Sequence, residues 1–233
     1  MAESPIVFDR NLLRARQWRA AALGPATFLI DRVAEDFSDR LATVLRRFEL
    51  AVDLGTPTDA VRRALKPDGL LLAALVGGDT LVELREAFAA AEVEIEGGVS
   101  PRVAPFADLR DLGALLQRAG FALPVTDLDR LSVRYASPFA LMHDLRRMGA
   151  TNALIERRRR PLKRATLARM AEIYCGRFAD ADGRIRATFE IVWLSGWAPH
   201  ESQQQPLKPG SARARLADAL GSQEISAGEK AGK

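Results

Sequence analysis

A short apolar run in the N-terminal part of the chain ends in residues suited to holding a polar ligand. The run Glu49–Leu54 is followed at once by Gly55 and Thr56. Glycine lets the backbone come close to a ligand, and a following helix N-terminus attracts negative groups, so this turn is typical of a binding loop. Asp53, Gly55 and Thr56 form this turn. A turn that serves folding alone is the alternative.

A second polar group follows the last predicted strand, Arg186–Trp197, which alternates apolar side chains. His200, Glu201 and Gln203 come directly after it. Polar loops at strand ends often carry function, so these three residues are candidates for contact with a substrate or a partner. We predict that residues 196–210 are ordered and pack against the domain, because Trp197 anchors their start. No catalytic residue and no triad is indicated, since neighbouring polar residues point apart.

Charge and composition argue against several functions. Lys plus Arg number 34 against 30 for Asp plus Glu, and the basic run Arg157–Arg160 contains no aromatic residue. Proteins that bind single-stranded nucleic acid combine a basic groove with aromatic side chains, and this run lacks the aromatic side chains. We therefore expect no nucleic acid partner and keep an RNA-binding module as a third alternative. One cysteine and two histidines predict no metal site, and the single cysteine favours a cytoplasmic location. No apolar run approaches the roughly 18 to 20 residues of a membrane span.

Strands and helices alternate along the chain, which predicts an α/β fold. Leu70–Val76 is apolar on both faces, as in a central parallel strand, and we predict that it pairs in parallel with Glu49–Leu54 through a helix at 57–65. Thr80 and Glu83 predict a capping box for a helix that ends at Ala91. Further helices are predicted at 6–22, 31–47, 107–119, 138–149 and 162–178, and a further strand at 125–135.

These elements predict three regions. Residues 1–48 form an N-terminal helical segment, and residues 49–199 form an α/β domain with a helical insertion at about 138–178. Residues 200–233 are a polar tail. The late strands have few helices between them, so we expect an antiparallel edge on the sheet.

Several short motifs resemble those of class I S-adenosylmethionine (SAM) methyltransferases. Val52-Asp53-Leu54-Gly55 stands where that family begins its cofactor loop, and Lys66-Pro67-Asp68-Gly69 is similar to the turn before its fifth strand. More specific matches lie at 77–81, 100–102, 105–108, 117–121, 144–152 and 196–203. They resemble the branch that contains the mitochondrial assembly factor of respiratory complex I and its alphaproteobacterial relatives. The malonyl carrier-protein methyltransferase of biotin synthesis is a more distant relative.

The resemblance implies a reduced Rossmann-like sheet, mostly parallel with an antiparallel edge, and SAM held by Asp53, Gly55 and Thr56. It implies either SAM-dependent methyl transfer or non-catalytic assembly of a respiratory complex by contact with a protein partner. Two departures predict that SAM binding is weak or lost. The loop keeps one glycine, and only ten residues separate Gly55 from Lys66, where the family has three strands. A natural deletion, a gene-model error and an engineered deletion would all produce this pattern.

Overall fold

The computed structural model describes residues 6–46, 48, 63–204 and 221. This part of the chain contains six helices and three strands. In chain order they are α1 (Arg10–Leu23), α2 (Phe28–Ala42), β1 (Leu70–Val76), α3 (Val82–Glu96), α4 (Leu109–Arg118), β2 (Ala122–Tyr135), α5 (Pro138–Arg147), α6 (Arg164–Phe178) and β3 (Ile185–Trp197).

The sheet has the order β1-β3-β2, and both neighbours pair antiparallel with β3. Leu70 lies opposite Trp197 in one ladder, and Tyr135 lies opposite Ile185 in the other. The antiparallel edge predicted from sequence is therefore present. A mostly parallel sheet is not confirmed among the described strands. β1 and β2 do run in the same direction, but β3 is inserted between them, so they do not pair.

Two predictions about the sheet fall outside the described residues. The strand at Glu49–Leu54 and most of the helix at 57–65 lie there, so their parallel arrangement with β1 stays a prediction. The division into regions at 48 and 199 also stays a prediction. The two helices expected in the insertion are present as α5 and α6.

The two faces of β3 pack against different helices, because successive strand residues point to opposite faces. Val192 and Leu194 are buried in a cluster with residues of α4. On the opposite face, Phe189 and Trp193 meet aromatic rings of α2. The half of β3 that begins at Ile185 packs in a larger cluster with α3, α5 and α6. β3 is thus the buried centre of the fold.

Helix starts follow local signals where a short polar side chain precedes the first turn. Ser137 accepts a hydrogen bond from Ala140 N at 3.2 Å, with Pro138 as the first residue of α5. Asp108 accepts one from Arg110 N at 2.7 Å at the start of α4. Both side chains satisfy amide groups that have no partner within the helix. The predicted opening of α5 at Ser137-Pro138 is confirmed.

Candidate functional site

The carboxyl ends of β1 and β2 lie on the same side of the sheet, because both strands run antiparallel to β3. In open α/β sheets, ligands bind outside the carboxyl ends of strands. The chain leaves β1 through Gly77, Gly78 and Asp79, and enters α3 after Thr80 and Leu81. This end of the sheet is one candidate site.

Glu190 of β3 holds the segment that leaves β1. Its backbone oxygen accepts a hydrogen bond from Gly77 N at 2.8 Å, and its Oε2 accepts one from Asp79 N at 2.9 Å. The carboxylate is 8% exposed, and Arg130 Nε lies 3.8 Å from its Oε1. The same guanidinium lies 3.4 Å from Asp79 Oδ2. Two carboxylates therefore share one arginine beside a fixed backbone segment.

The predicted capping box at Thr80 and Glu83 is wrong. Leu81 is the residue that precedes α3, and no side chain caps that end. Thr80 Oγ1 instead accepts a hydrogen bond from Glu190 N at 2.9 Å, and Glu83 accepts hydrogen bonds from Thr188 N at 3.0 Å and Thr188 Oγ1 at 2.5 Å. Both residues are buried against β3, which offers them partners that sequence spacing within the helix does not reveal.

We expect Gly77→Ala to lower the free energy of unfolding by about 1 to 3 kcal/mol, the usual cost of overpacking. A Cβ at this position would lie 2.8 Å from Val192 Cγ2 and 3.1 Å from Glu190 Cβ. The control is Gly176→Ala in α6, where a Cβ would meet nothing within 4 Å and alanine is the better helix former. Urea unfolding of the two variants measures the difference. Equal stability of both would contradict close packing at Gly77.

The predicted contact residues at 200–203 lie at the opposite end of the sheet, beside the start of β1. Gln203 Nε2 donates to Asp68 Oδ1 and to Ala198 O, each at 2.8 Å. His200 is exposed, and its Nδ1 lies 2.7 Å from Ser202 Oγ. Glu201 is exposed. The structure thus makes Gln203 a half-buried link between residues 198–203 and Asp68, whereas His200 and Glu201 face solvent.

A cleft of about 200 Å³ lies next to Gln203. It is lined by Arg46, Asp68, Leu123, Trp197, Ser202 and Gln203. The hydrogen bond from Gln203 and the neighbouring Arg46 guanidinium hold the pKa of Asp68 below its ordinary value. Sequence reasoning assigned Asp68 to a turn and Trp197 to packing. Only the antiparallel pairing of β1 with β3 brings the two residues together, so no sequence signal indicated them as a pair.

The residues proposed from sequence to hold SAM, Asp53, Gly55 and Thr56, lie outside the described residues. Small-molecule sites are mostly apolar and enclose the ligand. The cleft beside Gln203 has only two apolar lining residues, and a second cleft of about 370 Å³ has charged side chains and one threonine as its lining. The lining of the second cleft is Arg32, Asp36, Asp39, Arg40, Thr43 and Asp129. Neither cleft has the mostly apolar lining that is usual for small-molecule sites.

Two further predictions from composition concern metals and membranes. Within residues 6–46 and 63–204, no group of three or more His, Cys, Asp or Glu side chains is placed to hold a metal ion. Among the described helices, none combines the length and apolar character needed to cross a bilayer.

Comparison with known proteins identifies relatives over about 70% of the chain. It is 43% identical over 170 residues to "Arginine-hydroxylase NDUFAF5, mitochondrial" of Dictyostelium discoideum, covering 72% of this chain and 39% of that protein. The Homo sapiens protein of the same name is 42% identical over 160 residues, covering 69% and 46%. No family model matches the chain.

A second group of relatives is named malonyl-(acyl-carrier protein) O-methyltransferase. The protein of Xylella fastidiosa (strain M23) is 40% identical over 147 residues, covering 63% of this chain and 48% of that protein. The chain spans about half, or less, of the length of the curated relatives it matches.

Proposed function

Since this chain belongs to the methyltransferase-family branch that contains arginine-hydroxylase NDUFAF5 and malonyl-(acyl-carrier protein) O-methyltransferase, we propose that it is a methyltransferase-like assembly factor for a respiratory complex. It acts by contact with a protein partner. The observation that carries the proposal is the identity of 40 to 43% with proteins named NDUFAF5, over roughly 70% of the chain. The second candidate function is SAM-dependent methyl transfer, which the name of the other relatives supports.

The physical support for contact rather than transfer comes from what each function requires. Methyl transfer needs an enclosed site that aligns donor and acceptor. The cofactor loop at Asp53–Thr56 keeps one glycine, and the two clefts are open and lined mostly by polar groups. Contact with a protein needs only an ordered surface, and residues 198–203 supply one through their hydrogen bonds to the turn at Asp68.

We expect the chain to bind SAM with a dissociation constant no better than about 1 mM, equivalent to about −4 kcal/mol. The loss of two loop glycines removes the close backbone approach that the ligand requires. Isothermal titration with SAM measures this value, and Asp53→Ala is the control for a specific site. Submicromolar binding that disappears in Asp53→Ala would restore methyl transfer as the function.

Assembly is tested with substitutions at the predicted contact residues. The triple variant His200→Ala, Glu201→Ala, Gln203→Ala should reduce the amount of assembled respiratory complex in a bacterial host, as measured on native gels. Gln203→Ala alone should also lower stability, because its side chain links residues 198–203 to Asp68. The double variant at His200 and Glu201 tests the contact role without a change in stability, since both side chains are exposed and their loss should leave folding intact.

The double variant separates packing from function. Reduced assembly with unchanged unfolding supports a contact role for these residues. If the double and the triple variant both assemble the complex normally, residues 200–203 are not the contact surface and the proposed mode of action fails.

The proposed location is the cytoplasm, supported by the single cysteine, which favours a reducing compartment.

A further inference from the structure

One arginine without a partner in the described chain lies where α1 meets the connection between α5 and α6. This part of α1 packs against the end of α5, because a Cβ at Gly149 would lie 3.4 Å from Gln17 Cα and 3.6 Å from Ala20 Cβ. Arg16 and Arg19 are three positions apart and share one face of α1. Arg16 is half-buried, yet its guanidinium has no hydrogen-bond or ion-pair partner among the described residues.

Two other arginines are held beside it by hydrogen bonds to the protein. Arg19 Nη2 donates to Thr151 Oγ1 at 3.2 Å, and Arg157 Nη1 donates to Leu154 O at 2.7 Å. Arg157 Nη2 also donates to Asp9 Oδ2 at 3.1 Å, and the Arg157 side chain is only 19% exposed. These guanidinium groups cannot move away from the unpartnered one without losing their hydrogen bonds.

The chain before α1 fixes both sides of this group. Phe8 and Leu154 form an antiparallel bridge, and Asp9 N donates to Ala153 O at 2.8 Å. The Asp9 side chain also caps α1 by accepting a hydrogen bond from Leu12 N at 3.0 Å. α1 and the connection after α5 are therefore joined by backbone bonds, so the arginines from the two segments are preorganised as one cluster.

Positive charge exceeds negative charge within this cluster. Burial, together with the positive charges of Arg19 and Arg157, lowers the pKa of Arg16, and the nearby Asp9 offsets this only in part. The backbone hydrogen bond at the start of α1 and the charges of Arg157 and Arg159 hold the pKa of Asp9 below its ordinary value. Asp9 is thus ionised at neutral pH, and one carboxylate faces several guanidinium groups.

The surplus of guanidinium groups indicates the charge of the ligand that would fit. A further carboxylate would bring one negative charge and two oxygens. A phosphate monoester carries a charge of about −1.5 to −2 at pH 7 and offers three strong acceptor oxygens. The planar guanidinium matches phosphate oxygens with two parallel N–H donors, so clustered arginines are well suited to a phosphate group.

We propose that Arg16, Arg19 and Arg157 form a binding site for a phosphate monoester, which supplies the partner that Arg16 lacks within the described part of the chain. Arg19 and Arg157 are held in place before the ligand arrives, and Arg16 is the group that the ligand satisfies. The site shares no residue with the predicted contact surface at 200–203 and goes beyond the proposed function.

The test titrates the full chain with glycerol 3-phosphate, and the indole N–H resonance of Trp18 reports binding. Trp18 is 80% exposed and follows Arg16 by two residues on α1. Arg16→Gln should weaken binding about tenfold or more, because it removes a charged hydrogen-bond donor to the phosphate. Arg14→Gln is the matched control, since it makes the same change at an exposed position of α1 that does not share the face of Arg16.

A variant with the opposite effect keeps the test valid if Arg16→Gln disturbs folding. Asp9→Asn should strengthen binding about threefold, because it removes the competing carboxylate while asparagine still caps α1. Raising the pH from 5 to 8 should also strengthen binding, since the monoester gains its second charge near pH 6 and the arginines stay charged. Equal affinity of Arg16→Gln and Arg14→Gln, or weaker binding in Asp9→Asn, overturns the site.

Vesicles of phosphatidylcholine that contain phosphatidic acid distinguish a free ester from a lipid headgroup. Vesicle binding that depends on Arg16 but not on Arg14 would support the site with a headgroup as its ligand. Binding of glycerol 3-phosphate with the same dependence, and no binding of vesicles, would support a soluble ligand. If the chain binds neither probe, the phosphate site is overturned.

Discussion

Trp193→Ala is expected to lower the free energy of unfolding by about 3 to 5 kcal/mol, the range for removing a buried tryptophan. The Trp193 side chain is 2% exposed at the centre of β3. Its ring lies 6.1 Å from that of Phe37, and the Arg40 guanidinium carbon lies 4.4 Å from its centroid. Truncation therefore leaves a cavity and also removes the surface on which α2 packs. Chemical denaturation followed by circular dichroism measures the loss.

The matched control is Trp18→Ala in α1, where the side chain is 80% exposed. Its effect should stay within about 0.5 kcal/mol, because surface substitutions away from special features rarely exceed that value. A small effect at both positions would mean that α2 does not rest on Trp193.

Arg102→Ala should lower the free energy of unfolding by about 2 to 3 kcal/mol, because it leaves a buried carboxylate without its cation. The side chain of Glu92 is 0% exposed, and Arg102 is 16% exposed above it. Arg102 Nε lies 2.8 Å from Glu92 Oε1, and Ser100 N donates to Glu92 Oε2 at 2.7 Å. This group ties the loop after α3 to the helix itself.

The pH dependence of Arg102→Ala separates lost charge compensation from lost packing. Burial disfavours the charged form of Glu92, but the hydrogen bonds from Arg102 and Ser100 outweigh it and hold the pKa below its ordinary value. The lowered pKa of Glu92 stabilises the folded parent chain at neutral pH. This stabilisation is lost as the pH falls below about 4, which is the pKa of a glutamate in the unfolded chain. In Arg102→Ala the pKa of Glu92 should instead rise above its value in the unfolded chain. Lowering the pH should therefore stabilise the folded state of this variant.

The difference in stability between the parent chain and Arg102→Ala should therefore narrow as the pH falls from 7 to 4. A second substitution, Glu92→Gln, should recover part of the loss at pH 7, since it removes the uncompensated charge at nearly constant volume. A difference in stability that is constant across this pH range, with no recovery in the double variant, would show that Arg102 acts through packing on Phe88. The ring centroid of Phe88 lies 5.5 Å from the Arg102 guanidinium carbon.

The amino-acid sequence by itself determined the identity and order of most elements in the described chain. Alternation along β3 and the apolar run of β1 identified the strands, because side chains on a strand repeat every two residues. Ser137 and Pro138 marked the start of α5, because a cap acts within a few residues of itself. Family motifs, such as the one at Ser100–Arg102, indicated the relatives because they are also local features.

Tertiary structure decided the partners of polar residues. The sequence predicted a loop from Glu92, yet α3 continues to Glu96, where distant cations bind the carboxylates of its last turns: Arg169 pairs with Glu94, and Arg158 and Lys163 pair with Glu96. Thr80 and Glu83 contact β3 rather than cap a helix. Antiparallel pairing also places Asp68 beside Gln203, 135 positions later. Charged and polar contacts of this kind depend on distances in space, and the local periodicity of a sequence contains no information about them.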